Sequence, residues 1–242
     1  MEVFRRVLHD TSASGPAAHR AALGGADGWA VGPLVVGDER LTGLDPDVDL
    51  SVVVGGGAGG LAALARRTDG LRVVAAETTL RDLDDLAGNA ARVVAARDEL
   101  PEELDVFVGV PAGRGFVEAV EVVEAAGLLG RVDLAAHRAA SVAEELSVLV
   151  EADLPFKVAG AGPDAFGPYG VVAVLMAVEA LVDGADADEA EALLAQVDAR
   201  RATAGLGGWD EATQARVRRR LRGVDSPDVT ATLVALGSAG LL

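Results

Sequence analysis

Short runs of apolar, often β-branched residues recur along the first two thirds of the chain. The predicted strands are Val31–Val36, Leu50–Val54, Leu71–Glu77, Asp105–Val110, Arg131–Ala135 and Pro155–Ala159. Predicted helices lie between several of them, at Gly60–Arg67, Gly115–Ala126 and Ser141–Ala152. In the second of these helices Val117, Val120 and Val123 fall near one face. Alternation of strand and helix is typical of a parallel sheet covered by helices.

The pattern becomes mainly helical after residue 166. The predicted elements there are a buried helix at Tyr169–Val182, an amphipathic one at Asp188–Arg200, a basic one at Asp210–Leu221 and a short one at Pro227–Leu236. No linker-like stretch divides the chain, so we expect one domain over residues 1–242. We predict an α/β barrel of the TIM type, irregular or incomplete, with six strands placed, two unplaced and a helical C-terminal segment. An open doubly wound sheet is the alternative.

Charge and composition exclude several classes of function. The formal net charge of −17 repels nucleic acid and anionic membranes, so neither is an expected partner. The longest apolar run, Tyr169–Val182, is too short for a membrane span of about 20 residues. With no signal-peptide pattern we expect a cytoplasmic protein. The chain has no cysteine, and its three histidines lack metal-ligand spacing, so we expect neither metal nor cofactor. The expected partner is a small molecule, with homo-oligomer formation left open.

The chain contains a single lysine, Lys157, within the apolar stretch LPFKVAG. Lys and Arg together number 21, so the other 20 basic residues are arginine. An amine can form a Schiff base with a carbonyl compound, and a guanidinium cannot. Alternation turns Lys157 away from the face of Phe156 and Val158, which suits packing against helices. We therefore predict that Lys157 is a catalytic amine. The structural alternative is an ion pair with Asp133 inside the barrel.

Other polar residues fall near the carboxyl ends of the predicted strands, where barrel enzymes carry their active sites. The candidates for proton transfer are Glu77, Asp133 and His137. The candidates for substrate binding are Arg114, Gly160, Gly162 and Asp164.

A glycine run gives a competing interpretation. Gly55, Gly57 and Gly60 match the G-x-G-x-x-G pattern of dinucleotide-binding units, and Glu77 ends the next strand, where a carboxylate would hold a ribose. The alternative is a tight turn that needs positive φ angles. The run begins after residue 50 and no second nucleotide signature follows it, so we predict that it binds no dinucleotide.

Three stretches resemble an uncharacterised bacterial family whose members carry WMLGRFVVPASRL-like, VPFKATAGLHHP-like and FDEPVEDLRALGLL-like segments. The corresponding stretches here are WAVGPLVVGDERL from Trp29, LPFKVAGAGPDAFGPYG from Leu154 and SPDVTATLVALGSAGLL from Ser226. The resemblance implies an α/β barrel and an incidental glycine run. The chain departs from the family at Gly162-Pro163-Asp164, which replaces a pair of histidines.

The lysine strand is also distantly similar to the Schiff-base strand of deoxyribose-phosphate aldolases, through Lys157 and Gly160. Val158 and Ala159 stand where that strand carries hydroxyl groups. The sequence thus predicts a lyase or aldolase-like enzyme that acts on a small carbonyl compound through Lys157. The alternatives are a non-catalytic barrel that binds a ligand or partner, and a nucleotide-dependent oxidoreductase that uses Gly55–Gly60.

Overall fold

The computed structural model describes residues 1–135 and 139–242, and the side chains of all of these except 139–141. It is a closed barrel of eight parallel strands in which each strand pairs with the next along the chain and the last returns to the first. The barrel confirms the predicted fold class and excludes the open doubly wound sheet. In the described part of the chain no helix is long and apolar enough to cross a membrane.

The eight strands follow one another around the barrel in chain order. They are β1 Leu8–Asp10, β2 Val31–Gly37, β3 Asp49–Val53, β4 Arg72–Thr79, β5 Asp105–Gly109, β6 Leu129–Asp133, β7 Phe156–Ala159 and β8 Leu221–Ser226. The six predicted strands correspond to β2 to β7, with ends displaced by at most two residues. The two unplaced strands are β1 and β8. They close the barrel by pairing with each other, His9 lying in register with Asp225.

Helices cover the outside of the barrel. The described helices are α1 Gly15–Leu23, α2 Gly57–Leu64, α3 Leu86–Arg97, α4 Phe116–Ala125, α5 Ala139–Glu151, α6 Val171–Val182, α7 Ala187–Ala195, α8 Ala199–Gly207, α9 Glu211–Arg220 and α10 Val229–Ser238. The predicted amphipathic segment Asp188–Arg200 is in fact divided between α7 and α8. Asp198 separates them, because its side chain caps α8 by accepting a hydrogen bond from the Arg201 N–H.

Helix α6 explains why the last third of the chain looks helical. Its sequence, VVAVLMAVEALV, is apolar nearly all round, and a helix of that kind must be buried on several sides. It packs against β8 and is also in contact with α5, α7, α8 and α9. The segment between β7 and β8 therefore carries an extra outer layer of helices, and β8 follows only after it.

The two faces of the strands have different chemistry. Residues such as Val52, Val132 and Val158 belong to the apolar core beneath the helices. Their neighbours point inward, and the inward set includes buried polar and charged side chains. This division follows from the period of two along a strand, and it gives the barrel a charged interior.

Candidate functional site

The single lysine lies inside the barrel. Lys157, on β7, is fully buried, and its Nζ lies 2.6 Å from Glu77 Oε1 and 2.7 Å from Asp225 Oδ1. Glu77 is on β4, which is not a neighbour of β7, so this contact spans the interior. The expectation that Lys157 faces away from the covering helices is confirmed. The ring of Phe107 adds a cation–π contact, with its centroid 5.9 Å from Nζ.

Glu77 connects four strands through its two carboxylate oxygens. Oε1 accepts hydrogen bonds from Ser51 Oγ on β3 and from Lys157 Nζ, each at 2.6 Å. Oε2 accepts one from Arg131 Nε on β6 at 3.0 Å. Arg131 Nη1 in turn donates to Asp133 Oδ2 at 3.2 Å. A fully buried carboxylate is thus held by three donors, which is the condition for keeping a charge in a protein interior.

The predicted ion pair between Lys157 and Asp133 is wrong, because Lys157 pairs with other carboxylates. Strand register places Lys157 opposite Arg131, and Asp133 opposite Ala159. Asp133 therefore lies one step nearer the carboxyl ends of the strands, where its side chain is 32 % exposed. Lys157 is paired instead with Glu77 and Asp225, the second of which belongs to the strand that the sequence did not reveal. We call Glu77, Arg131, Asp133, Lys157 and Asp225 the interior charge cluster.

The charges of the cluster shift the pKa values of Glu77 and Lys157. Burial alone would raise the pKa of Glu77, but the charges of Lys157 and Arg131 outweigh it and lower that pKa to about 2. Burial likewise disfavours a charged Lys157, and the carboxylates of Asp225 and Glu77 reverse the effect, so its pKa is raised. The resting amine is therefore an ammonium ion.

Asp225 is a weaker acid than Glu77, the other buried carboxylate of the cluster. Burial and the nearby charge of Glu77 raise its pKa to about 6, although Lys157 opposes the shift. The formal charges explain this direction, since three carboxylates share only two cations, Lys157 and Arg131. Asp225 thus accepts a proton near neutral pH more readily than Glu77 does.

A cavity opens at the end of the barrel formed by the carboxyl ends of the strands. Its volume is about 360 Å³, and its lining includes Glu77, Arg131, Asp133 and Arg81. Lys157 does not line it, but Glu77, which does, is in contact with the amine. A larger cavity of about 490 Å³ lies among α6, α7 and α8, on the outside of the barrel, and includes no member of the interior charge cluster. The barrel-mouth cavity thus reaches three members of the interior charge cluster.

Of the predicted substrate-binding residues, Gly160 borders the interior charge cluster, and the others lie in loops. Gly160 has a φ of 70°, and a side chain there would come within 3.1 Å of Asp133 Oδ1, so it borders the cluster. Asp164 is exposed and accepts a hydrogen bond from the Phe166 N–H within its own loop. Gly162 donates its N–H to Tyr169 O at 2.9 Å, and Arg114 is exposed in the loop before α4. His137 lies outside the described residues.

The glycine run forms the turn from β3 into α2. Gly57 has a φ of 59°, which favours glycine, and a side chain at Gly60 would lie 2.5 Å from Val54 Cγ1. The turn therefore explains Gly57, and tight helix–strand packing explains Gly60. Arg81 donates to Gly55 O at 2.8 Å. Glu77, which the dinucleotide interpretation needs for a ribose, has its oxygens occupied by Ser51, Lys157 and Arg131.

Sequence reasoning missed three members of the site. Arg131 shares a strand face with Asp133 by simple alternation, and that signal could have identified it. Ser51 shares a face with Val53 in the same way, but a lone serine in a strand attracts no attention. Asp225 carried no usable signal, because its strand was not recognised.

No protein-family model matches this chain, and no curated protein matches it significantly. Among the residues that the structure describes, no group of three or more His, Cys, Asp or Glu side chains is arranged to hold a metal ion. The barrel and its interior charge cluster are the features of the molecule that bear on its function.

Proposed function

We propose that this protein is a lyase of the aldolase type, which forms a Schiff base between Lys157 and a small carbonyl compound. The observation that carries the proposal is the position of the only lysine, buried in the barrel in contact with two carboxylates. At the other 20 Lys or Arg positions the residue is arginine. Chemistry that only an amine can perform gives a reason for lysine here.

Within the cluster, Asp225 can carry the first proton that imine formation moves. The Lys157 ammonium gives a proton to the Asp225 carboxylate, and the neutral amine then attacks the carbonyl carbon. The carbonyl π electrons pass to oxygen, which takes the proton back from Asp225 and gives a carbinolamine with a protonated nitrogen. That nitrogen loses a second proton, the hydroxyl group gains one and leaves as water, and a protonated imine remains. The protonated imine then withdraws electrons from the bond that a lyase breaks.

The cavity lining favours a carbonyl compound that also carries a carboxylate. Arg131 and Arg81 present guanidinium groups to this cavity, and guanidinium binds carboxylate in a planar, two-point geometry. An anion that engages Arg131 competes with Glu77 for it. That competition provides a route by which ligand binding opens the path from the cavity to Lys157.

Reductive trapping tests the proposal. The protein is incubated with glyoxylate, pyruvate, glycolaldehyde or acetaldehyde and borohydride, and the mass increase is mapped by peptide. We expect labelling of the peptide that contains Lys157 and none in a folded Lys157→Arg control. Only the α-amino group can give a rival adduct, because the chain has no other lysine. Equal labelling of the wild type and the control would remove the lyase proposal.

A second candidate, a ligand-binding barrel without catalysis, is favoured by one observation. Lys157 is fully buried and does not line the cavity, whereas Glu77, Arg131 and Asp133 do. On this alternative the cluster is structural, and the ligand contacts the cavity alone. A carboxylate compound that raises the melting temperature without any trapped adduct would support it.

The nucleotide-dependent alternative has the least support, since Glu77 is held within the barrel. We expect calorimetry with NAD, NADP and FAD to show no binding in the micromolar range. Micromolar binding that is lost on substitution of Gly57 by valine would restore this alternative.

A further inference from the structure

A buried histidine lies on the barrel strand next to one that carries a member of the interior charge cluster. His9 lies on β1, in register with Asp225 on β8, and is 5 % exposed. Asp225 in turn lies 2.7 Å from the Lys157 amine. The imidazole is therefore on the strand next to the carboxylate that receives the lysine's proton in the proposed reaction.

Two glycines make the space that the His9 ring occupies. A Cβ atom at Gly223 would lie 2.1 Å from His9 Nε2, and one at Gly32 would lie 2.8 Å from His9 Cδ2. Gly223 is on β8, directly opposite Lys157 in the strand register. Both neighbouring strands thus lack a side chain at the ring, although glycine weakens a strand. The absence of both side chains leaves the space that the imidazole fills, on the strand next to that of Asp225.

The ring also carries an uncommitted polar atom. His9 Nδ1 is buried and has no hydrogen-bond partner among the described residues. Buried polar atoms in native proteins are nearly always paired, and an exception calls for an explanation, of which a catalytic role is one. Burial and the positive charge of Lys157 hold the pKa of His9 well below its usual range, so the resting imidazole is neutral and can accept a proton.

We propose that His9 is a second catalytic residue of this site, which relays a proton through Nδ1 between the nitrogen and the oxygen of the carbinolamine. The inference rests on the proposed function. His9 takes the second proton from the protonated carbinolamine nitrogen and becomes imidazolium. It then gives that proton to the hydroxyl group, which leaves as water while the nitrogen lone pair forms the C=N bond. The imidazole ends the step neutral, as it began.

His9→Gln removes the relay with a side chain close to histidine in size, and His9→Phe is the second variant, which keeps an aromatic ring. We expect either variant to lower the rate of reductive trapping at Lys157 by about 10²-fold or more, and to change how the rate depends on pH. His19→Gln is the matched control, because His19 is equally buried but pairs with Asp10 Oδ2 at 3.0 Å, away from the cluster. The control should trap at nearly the wild-type rate.

A measurement on the wild type covers the case in which the variants fail to fold. With ¹⁵N-labelled histidine, reductive trapping with glyoxylate should shift the Nδ1 resonance of His9 and leave that of His19 in place. Labelling of Lys157 at the wild-type rate and pH profile in folded His9 variants, or an unmoved His9 resonance in the trapped protein, would overturn the His9 proposal and leave the lyase proposal standing. No labelling of the wild type would overturn both.

Discussion

The interior charge cluster and helix α9 both carry several ion pairs, but the pairs of the cluster are more deeply buried. In the cluster, Lys157 and Glu77 are fully buried and every charge lies close to an opposite one. On α9, Arg219 pairs with Asp153 while remaining 65 % exposed. Exposed pairs are weak because water and salt screen them, whereas a buried charge that loses its partner is strongly unfavourable. The charges of the cluster therefore depend strongly on one another, whereas the exposed pair of Arg219 and Asp153 contributes little.

The largest effect is expected at Glu77, which binds both cations of the cluster. Glu77→Gln leaves Lys157 and Arg131 without a shared counter-charge. We expect a loss of about 3–5 kcal/mol in the free energy of unfolding, measured by urea denaturation at pH 7. Glu2→Gln is the control, since Glu2 is an exposed partner of Arg5 and its loss should leave the midpoint in place. A Glu77 variant as stable as this control would remove the interdependence that we infer.

The same residue predicts a dependence of stability on acid. The pKa of Glu77 in the folded protein is about 2, below its ordinary value of 4.5. Its ionised form therefore stabilises the fold above pH 4.5, and that stabilisation is lost as the pH falls through about 2. We expect the unfolding free energy of the wild type to fall more steeply between pH 4.5 and 2 than that of Glu77→Gln. Parallel curves would contradict the pKa assignment.

A smaller effect is expected at Asp225. Asp225→Asn leaves two cations, Lys157 and Arg131, facing the carboxylates of Glu77 and Asp133, so the charges balance. We expect a loss of about 1–3 kcal/mol at pH 5 from the weakened contact with Lys157. The pKa of Asp225 is raised to about 6, so its ionisation destabilises the fold as the pH rises from 3.8 through 6. The cost of the substitution should therefore be smaller at pH 8 than at pH 5. A cost that grows between pH 5 and pH 8 would contradict the raised pKa of Asp225.

The contrast between the two regions also shows what the sequence could predict. Strands β2 to β7 are rich in β-branched residues, and their alternation identified the barrel and the inward direction of Lys157. Strand β8, with the sequence LRGVDS, carries an arginine, a glycine and an aspartate in six residues and follows a run of arginines, so its polar character concealed it. Asp225 was lost together with the strand.

The partners of Lys157 could not be predicted for a different reason. Alternation fixes the face of a strand on which a residue lies, but the stagger between strands decides which residues share a level of the barrel. Asp133 was chosen by face alone, and register places it level with Ala159. Glu77 reaches Lys157 from a strand three positions away around the barrel, and such a contact requires the closed structure.

The smallest effect is expected on α9. Arg219→Ala removes one of two arginines that contact Asp153, since Arg220 contacts it as well. We expect a change of about 0–1 kcal/mol in the unfolding free energy, and less in 1 M NaCl, because the pair is exposed and screened. A loss comparable to that of Glu77→Gln would show that burial is not what separates the two regions.

The protonation state of Lys157 is the most direct test of the central claim, and a single lysine makes it measurable. In protein labelled with [¹⁵N]lysine, NMR gives one Nζ signal, which we follow from pH 6 to pH 11 with and without glyoxylate. We predict an ammonium signal that persists past the ordinary pKa of 10.5 in the resting protein, and that is replaced by an imine signal when glyoxylate is added. A resting amine that loses its proton below pH 10 would contradict the buried ion pairs, and an ammonium signal unchanged by any carbonyl compound tested would contradict the Schiff base.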